Sequence, residues 1–293
     1  MTRDLTGQVV MITGAARGLG AALARELAGR GARLALVGLE PDELQAQAEA
    51  CGNGAQAWTA DVTDQAAISA AAEGVRAAFG RIDVLVANAG VATGGTLRIA
   101  DPVSYDRVVE VNLLGSIRTA RAALPHLIDS KGFYLQIASA AALVPNAVMG
   151  SYCASKSGVE AFAHSVRSEV RHLGVGVGIA YPLWIDTEMV RGMDEYPAFT
   201  IARKGLPWPM NKTYPVAPAV RALADAVAAR RVHTMFPRWL WFLYANRAIS
   251  PSVTPFVVGR LARRAEKAHA QAPKRLGLTG AGGAADDATR SGE

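Results

Sequence analysis

The chain has 293 residues, of which 51% are hydrophobic and 19% are charged, a composition that suits one large α/β domain or two small ones and excludes an intrinsically disordered protein. Its formal net charge of +6 is concentrated near the C-terminus, where residues 228–275 contain ten Arg and Lys against one acid, Glu266. Because the rest of the chain is close to neutral, we predict a basic C-terminal appendage and no nucleic-acid partner.

Short apolar runs alternate with helical patterns along the first 240 residues. The runs read QVVMITG, ARLALVG, AQAWTADV, RIDVLVANAG, GFYLQIASA and VGVGIAYP, with VHTMFP as a candidate seventh. Strands that alternate with helices form βαβ units and a parallel sheet, and uninterrupted apolar runs fit strands that are buried on both faces. We therefore predict a single α/β domain over residues 1–240, built on a doubly wound parallel sheet of about seven strands with helices on both faces.

A glycine-rich turn, TGAARGLG, lies where the first strand should end and the first helix begin. Gly14, Gly18 and Gly20 permit a sharp turn and a close backbone approach to a pyrophosphate, and the following helix offers free N–H groups at its N-terminus. The alternative is that the glycines serve only a tight turn and close helix contacts. The position between a strand and a helix favours nucleotide binding.

The sequence SYCASKSGVEAF, residues 151–162, places Tyr152 and Lys156 four positions apart at the start of a helical pattern. Residues at positions i and i+4 lie on the same face of a helix. A lysine charge beside a phenol stabilises the phenolate, so we expect Lys156 to lower the pKa of Tyr152 and to make it a usable proton donor or acceptor. Because this spacing also occurs by chance, the pair needs support from other motifs.

Several short motifs, taken in order, resemble the short-chain dehydrogenase/reductase family over roughly residues 5–240. The glycine spacing is similar to that of the family, as are NAG at residues 88–90, the asparagine of VNLLG, a serine thirteen residues before the tyrosine, and YxxxK. The resemblance implies a Rossmann-type fold and the catalytic residues Asn112, Ser139, Tyr152 and Lys156. It implies cofactor contacts from Gly14, Arg17, Gly18, Leu19, Gly20, Asp61, Val62, Asn88, Ala89, Gly90, Tyr152, Lys156, Pro182 and Thr187.

The resemblance implies hydride transfer between a nicotinamide cofactor and a secondary alcohol or ketone, with Tyr152 transferring the proton on oxygen. It assigns Ser139 to hold the substrate oxygen, Asn112 to position a proton-relaying water, and Lys156 to bind the nicotinamide ribose. One alternative is a catalytically silent NAD(P)-binding regulator or scaffold. Another is a sugar-nucleotide epimerase or dehydratase, but those relatives usually have G-x-x-G-x-x-G and a larger C-terminal domain, which this sequence lacks.

The end of the second strand, LVGLEPDEL, decides between NAD and NADP. In the family pattern, Gly38 stands where an NAD-type acid is found and Leu39 where an NADP-type arginine often stands. Arg17, inside the glycine turn, suits a 2′-phosphate because a guanidinium matches phosphate geometry, whereas nearby Glu40 favours NAD. We predict a preference for NADP, with NAD as the alternative.

After the sixth strand, the sequence YPLWIDTEM retains Pro182 and Thr187 but has Leu183 where the family usually has glycine. The following stretch, about residues 188–215, loses periodicity, and we predict a long substrate-binding loop there. It is rich in methionine and aromatic residues, which suits an adaptable apolar pocket for a lipophilic alcohol or ketone, such as a sterol, a terpenoid or a long-chain compound. The alternative is that these side chains pack against the domain or a sister subunit.

Residues 241–275 form a basic, aromatic segment that we predict to be a helical extension. Its composition suits an interfacial helix on anionic lipid, but we favour an extension that covers the substrate pocket or packs between subunits. Pro251 and Pro255 should prevent one continuous helix. The small and polar residues 276–293 predict a disordered tail.

The remaining signals concern metals, compartment and assembly. Cys51 and Cys153 share no spacing motif and the histidines are not clustered with acids, so neither a disulfide nor a metal site is predicted. The start of the sequence shows no apolar targeting run, and no stretch of about 18 apolar residues occurs, so we expect a cytoplasmic protein. The family resemblance implies a homodimer or homotetramer.

Overall fold

The computed structural model describes residues 4–271 and 277–280. Within them, seven parallel strands form one sheet in the order β3-β2-β1-β4-β5-β6-β7. The predicted doubly wound α/β sheet, including a seventh strand at VHTMFP, is confirmed. The strands are β1 (Val9–Thr13), β2 (Arg33–Gly38), β3 (Gln56–Thr59), β4 (Val84–Ala87), β5 (Phe133–Ile137), β6 (Gly176–Pro182) and β7 (His233–Phe236).

Helices cover both faces of this sheet, which is why its central strands are apolar on both sides. Every residue of β1, β4 and β5 is buried. One core lies beneath α1 (Gly18–Ala28), α2 (Pro41–Cys51) and α9 (Val216–Ala229). The other core lies beneath α3 (Gln65–Phe79), α4 (Pro102–Val109), α5 (Gly115–Ser130) and α6 (Gly150–Val170).

The order of the strands reverses between β1 and β4, where Val10 pairs with Val84. At such a switch point the connections leave the carboxyl ends of neighbouring strands toward opposite faces of the sheet, and a crevice opens between them. The glycine turn follows β1, and the NAG motif follows β4. The topology therefore brings these two motifs to the same crevice.

The stretch 188–215, predicted as a loop, contains two short helices, α7 (Glu188–Asp194) and α8 (Pro197–Lys204). Pro197 stands at the start of α8, where its missing N–H costs nothing. The helix buries Ala198, Phe199 and Ala202 on one side. The predicted long loop therefore contains helical turns, which are too short for a helical period to show in the sequence.

The two prolines of the C-terminal extension do not break it where we predicted. α10 (Leu240–Ala245) ends before Asn246, and α11 (Ser250–Gln271) runs without interruption. Pro251 is the second residue of α11, where its N–H would have no partner within the helix. Pro255 lies inside the helix. It removes a single hydrogen bond near the helix start, so α11 continues past it.

Part of the predicted disordered tail is ordered. Thr279 forms an antiparallel bridge with Ala92, and their backbone amides exchange two hydrogen bonds of 2.8 Å. Leu278 is buried. One leucine in a segment of mostly small and polar residues is too weak a compositional signal to predict order. Residue 276 and residues 281–293 lie outside the described residues. In the described parts of the chain, no helix combines the length and the hydropathy needed to cross a membrane.

Candidate active site

The glycine turn after β1 is shaped by close backbone contacts. Gly14 and Gly18 have φ angles of +64° and +59°, a region that favours glycine. A Cβ atom on Gly20 would lie 2.2 Å from the Gly14 carbonyl oxygen, so a larger residue does not fit there. The side-chain amide of Asn88 donates hydrogen bonds to the carbonyl oxygens of Thr13 and Gly14, at 3.0 and 3.1 Å. Asn88 thus braces the turn from the end of β4 and leaves its crevice side open to a ligand.

A small cleft lies beside the turn, at the carboxyl ends of β2 and β3. Its walls include Gly14, Gly38, Leu39, Glu40, Asp61, Val62, Ala89 and Gly90. Asp61 is fixed by two contacts, accepting from the Thr63 amide at 2.8 Å and from the Arg107 guanidinium at 3.1 Å. The cleft is continuous with the glycine turn through Gly14 and Gly90. These two residues also line a larger cavity, whose walls include Tyr152 and Lys156. The residues of the small cleft could contact the adenosine half of a dinucleotide bound at the carboxyl edge of the sheet.

Arg17 and Glu40 connect the glycine turn to the end of β2. The Arg17 guanidinium donates to the Glu40 carboxylate at 2.6 Å, and a second carboxylate, that of Glu188, lies 3.7 Å away. Glu40 is buried, whereas Arg17 is partly exposed. The hydrogen bond to Glu40 raises the pKa of Arg17. The charge predicted to receive a 2′-phosphate is therefore already balanced by an acid.

Tyr152 and Lys156 both project from the first turns of α6. The Lys156 ammonium lies 5.6 Å from the centre of the Tyr152 ring and donates a hydrogen bond of 3.1 Å to the Ile137 carbonyl oxygen, at the end of β5. Gly90 lies opposite, since a Cβ atom placed on it would be 3.5 Å from the Lys156 ammonium. The lysine therefore stands between the tyrosine and the NAG motif.

The acidities of this pair differ from the sequence-based expectation. Burial raises the pKa of Tyr152 to about 12, although interaction with the Ser139 hydroxyl opposes the shift. Burial also lowers the pKa of Lys156 to about 8. The sequence predicted that Lys156 lowers the pKa of Tyr152; the pKa is instead raised, because desolvation of the phenolate is the largest effect on it. At neutral pH, Tyr152 holds its proton.

Ser139 follows β5 and faces the tyrosine. Its hydroxyl accepts a hydrogen bond of 3.2 Å from the Ala141 amide and donates one of 3.4 Å to the Pro182 carbonyl oxygen, at the end of β6. It also interacts with the Tyr152 phenol. The two hydroxyls are thus held side by side by residues of three separate elements.

Asn112 is fully buried in a π-helical turn, Glu110–Leu114, between α4 and α5. Its side chain accepts a hydrogen bond from the Val91 amide at 2.8 Å and donates to the Val91 carbonyl oxygen and the Ser155 hydroxyl at 3.0 and 3.1 Å. A π-turn inside a helix is often found at a functional site, where it reorients one side chain. Asn112 ties the NAG loop to α6 beneath the Tyr152–Lys156 pair.

A cavity of about 560 Å³ joins most of the predicted residues. Asp61, Val62 and Ala89 lie in the smaller cleft, and Asn112 is buried behind both. Among the described residues, no group of three His, Cys, Asp or Glu side chains is arranged to hold a metal ion. The predicted residues that line the cavity are Gly14, Arg17, Gly18, Leu19, Gly20, Asn88, Gly90, Ser139, Tyr152, Lys156, Pro182 and Thr187.

Leu183, which replaces the usual glycine, does not disturb the backbone pairing at the end of β6. Its amide donates to the Phe236 carbonyl oxygen at 2.9 Å, and its side chain is buried in the cavity wall. The Trp184 indole N–H donates to the Met210 carbonyl oxygen at 2.8 Å, and its ring packs edge-on against Phe199. These contacts attach the segment that carries α7 and α8 to the cavity.

The sequence analysis favoured a C-terminal extension that covers the substrate pocket or packs between subunits, but it named no site residues in two segments of the chain. The first is on the C-terminal extension, whose α10 and α11 contribute Leu240, Phe242, Leu243, Val253, Thr254 and Val258 to the cavity wall. The second is the segment 277–280, which lies against the NAG loop: a Cβ atom on Gly280 would be 2.8 Å from the Gly90 carbonyl oxygen and 2.7 Å from the Met189 side chain. The predicted helical extension was the sequence signal for the first segment, and the small, polar composition of residues 276–293 gave no signal for the second.

Comparison with known proteins agrees with this geometry. The family model described as short chain dehydrogenase matches residues 8–197. The 3-oxoacyl-(acyl-carrier-protein) reductase of Escherichia coli is 30% identical over 193 residues, which is 66% of this chain and 79% of that protein. The D-threitol dehydrogenase of Mycolicibacterium smegmatis is 36% identical over 189 residues, 63% of this chain and 73% of that protein. A short chain dehydrogenase/reductase from Burkholderia phymatum, solved in complex with NAD, superposes with a TM-score of 0.74 at 23% identity and covers 86% of this chain and 96% of its own.

The chain belongs to the short-chain dehydrogenase family, as predicted. It is an oxidoreductase of that family, an enzyme with a Rossmann-type fold that uses NAD or NADP. A catalytically silent regulator is not favoured by these relationships.

Proposed function

We propose that this enzyme interconverts a lipophilic secondary alcohol and its ketone. The observation that carries the proposal is that the Ser139 and Tyr152 hydroxyls stand together in the wall of a cavity of about 560 Å³ that is otherwise largely apolar. Because the glycine turn and Lys156 line the same cavity, a bound cofactor would fill part of it, and the remaining space suits a small to medium-sized organic molecule. The apolar walls of the cavity favour a substrate that removes apolar surface from water when it binds. They include Leu183, Trp184, Met193, Phe199, Leu206, Met210, Leu243 and Val258.

The chain fits a nicotinamide cofactor because Gly14, Gly18 and Gly20 line the cavity in a tight turn at the N-terminus of α1, where free backbone N–H groups can bind a pyrophosphate. The bound cofactor supplies or accepts the hydride. The protein acts on the substrate oxygen. Tyr152, protonated at neutral pH, donates its proton to a carbonyl oxygen during reduction, and the Ser139 hydroxyl holds the same oxygen. The Lys156 ammonium then offsets the charge of the phenolate that donation leaves behind.

Asn112 is proposed to be a positioning residue. Its side-chain amide already binds Val91 and Ser155, so it fixes the loop that carries Gly90 instead of holding a relay water with its side chain. That loop is where the cofactor would lie against Lys156. Asn112 therefore acts through the placement of its neighbours.

For the cofactor, the ion pair between Arg17 and Glu40 supports NAD over the predicted NADP. A 2′-phosphate at the end of β2 would have to displace or approach a buried carboxylate that already holds Arg17. A ribose 2′-hydroxyl, in contrast, can donate a hydrogen bond to that carboxylate. Competitive titration with both cofactors tests this preference.

The relatives do not identify the substrate of this chain, because their names point to two different compounds, a 3-oxoacyl-(acyl-carrier-protein) and D-threitol. The proposal therefore rests on the cavity.

We also propose a homodimer or homotetramer, supported by the exposed Val103 and Leu114 near α4; its test is light scattering of the purified protein.

A panel of ketones tests the substrate class. We expect kcat/KM, followed by absorbance of the reduced cofactor, to rise at least about tenfold from a four-carbon to a ten-carbon 2-ketone, because each additional buried methylene favours binding. Cyclic and steroidal ketones belong in the same panel. Higher kcat/KM with small polyols or hydroxyketones than with any lipophilic compound would overturn the proposal.

A further inference from the structure

The C-terminal extension has an inner face with a clear partner. On α11, Val258, Leu261 and Ala265 are buried, and the spacing of three and four residues places them on one side of the helix. Leu206, next to α8, packs with Val258 and Leu261. This inner side closes the substrate cavity and requires no further explanation.

The outer face of the extension is different, because large apolar side chains point into solvent. Phe256 and Phe242 are 81% and 71% exposed, and Ile249 and Val253 are also exposed. Trp208, beside the same cavity, is 80% exposed. Exposed apolar groups scattered singly are ordinary, but these follow one another along α10, the connecting turn and the start of α11. They form a continuous apolar strip along the extension.

Cations follow the strip along the same side of α11. Arg260, Arg263 and Lys267 lie three to four residues apart after Phe256, so they share its side of the helix, and all are exposed. In the described part of the chain, none of these three forms an ion pair with an acid. The one acid of α11, Glu266, is bound by Thr96 and Arg98. The outer face therefore has an apolar half and a basic half.

The apolar half surrounds the mouth of the substrate cavity. Phe242, Ile249 and Val253 line the cavity and are exposed at the same time, so they lie at its opening. Asn246 and Pro207 share both properties. A surface that covered the apolar strip would lie directly over this opening.

We propose that the outer face of the extension docks on an anionic lipid bilayer, with the apolar strip inserted among the headgroups and the basic half against the negative surface. An apolar strip flanked by unpaired cations is the pattern of interfacial helices. A second copy of the chain fits less well, because a symmetric contact over the apolar strip would leave the three cations without an opposite charge. A nucleic acid would use the cations but would leave the aliphatic Ile249 and Val253 without a partner.

The docked orientation turns the cavity mouth toward the lipid. This deepens the proposed function, since a lipophilic substrate would reach Tyr152 from the bilayer, and that part rests on the proposed substrate class. Vesicle binding itself requires no turnover. The two proposals therefore fail separately: loss of lipid binding leaves a soluble ketone reductase, and inactivity on ketones leaves a lipid-binding protein.

Co-flotation of the full-length protein with vesicles tests the docking. We expect binding to vesicles of 70% phosphatidylcholine and 30% phosphatidylserine to be at least about tenfold tighter than to pure phosphatidylcholine, and to weaken in 0.5 M NaCl. Phe256→Ser, outside the cavity, and Arg260→Gln/Arg263→Gln should each reduce binding at least about fivefold. Leu173→Ser and Arg76→Gln remove an exposed apolar group and an exposed cation elsewhere and should bind like the wild type.

Each remaining outcome counts against the proposal. Equal recovery with and without anionic vesicles would overturn it, as would equal loss in Leu173→Ser and Phe256→Ser. Binding that responds to the arginines and to salt but not to Phe256 would indicate a polyanion surface such as one for nucleic acid. A change of oligomeric state in Phe256→Ser without a change in lipid binding would indicate a contact between copies. Thermal unfolding of each variant separates these results from misfolding.

Discussion

The Lys156 ammonium lies 5.6 Å from the centre of the Tyr152 ring and is held there by a hydrogen bond of 3.1 Å to the Ile137 carbonyl oxygen. The strand that ends at Ile137 therefore fixes the charge beside the phenol. Because both groups are desolvated, each is shifted toward its neutral form. The Lys156 charge stabilises the Tyr152 phenolate once the proton has left, whereas Tyr152 at rest keeps its proton.

Burial of Lys156 predicts a specific dependence of stability on pH. Its pKa falls from an ordinary 10.5 to about 8, so between these values the unfolded chain binds more protons than the folded protein. The free energy of unfolding should therefore rise with pH from about 8 toward 10. Below pH 8 both states carry the charge, and the folded state bears the full cost of burying it. Tyr152 does not offset this rise, since its opposite effect begins only near pH 10.

Urea denaturation of the wild type and of Lys156→Met from pH 7 to 9.5 measures this effect. The rise in the wild type relative to the variant should amount to about 1–3 kcal/mol. Lys204→Met, which removes an exposed lysine on α8, should keep the wild-type slope. Parallel curves for the wild type and Lys156→Met would show that the lysine does not titrate in this window.

Glu40→Gln should shift cofactor preference toward NADP. The substitution frees Arg17 from its carboxylate partner at 2.6 Å and removes the negative charge that a 2′-phosphate would meet. We expect the ratio of the dissociation constants of NADP and NAD to fall at least about tenfold, measured by fluorescence titration. Glu43→Gln removes an exposed acid from the first turn of α2, three residues further on, and should change the ratio little. An unchanged ratio in Glu40→Gln would remove this pair from cofactor selection.

Asn112→Ala should weaken both stability and catalysis. The substitution leaves the Val91 amide and carbonyl without their buried partner, which costs about 1–3 kcal/mol for each unsatisfied group. Because Asn112 acts through the loop that carries Gly90, the cofactor dissociation constant should rise as well. Asn211→Ala, in the segment after α8, should change neither the free energy of unfolding nor the cofactor dissociation constant. Full stability in Asn112→Ala would contradict the positioning role.

Ile249→Asp should distinguish long from short substrates. The side chain lies at the cavity mouth, so a charge there should raise KM for a ten-carbon ketone at least about fivefold and leave a four-carbon ketone nearly unchanged. The assay contains no lipid, so it reports on the cavity alone. Ile201→Asp, an exposed position of α8 outside the cavity, is the matched control. Equal effects on both ketones would argue against an extended substrate at this opening.

The strands of the sheet were predictable because most of them are apolar runs bounded by turn residues, which is a local signal. The gathering of Gly14, Asn88, Ser139 and Tyr152 was predictable only through family resemblance, since their separation in sequence hides their proximity. The pKa of Tyr152 was not predictable, because burial, which the spacing of Tyr152 and Lys156 does not reveal, decides its direction.

The C-terminal half was harder to predict for physical reasons. α7 and α8 are too short to show a helical period, and Pro255 lies inside a helix that we expected it to interrupt. Leu278 finds a buried site only because Ala92 offers an unpaired edge of backbone to Thr279. Such contacts depend on partners almost 190 residues away in sequence, so local sequence patterns cannot predict them.

Tyr152→Phe tests the central claim, that this phenol carries the proton of the reaction, most directly. With the ketone that the wild type reduces fastest, the variant should lose at least about 10²-fold in kcat, because phenylalanine keeps the ring but has no proton to donate. The dissociation constant of the cofactor should stay within about threefold of the wild-type value, which shows that the site is intact. Wild-type turnover by Tyr152→Phe would contradict the account.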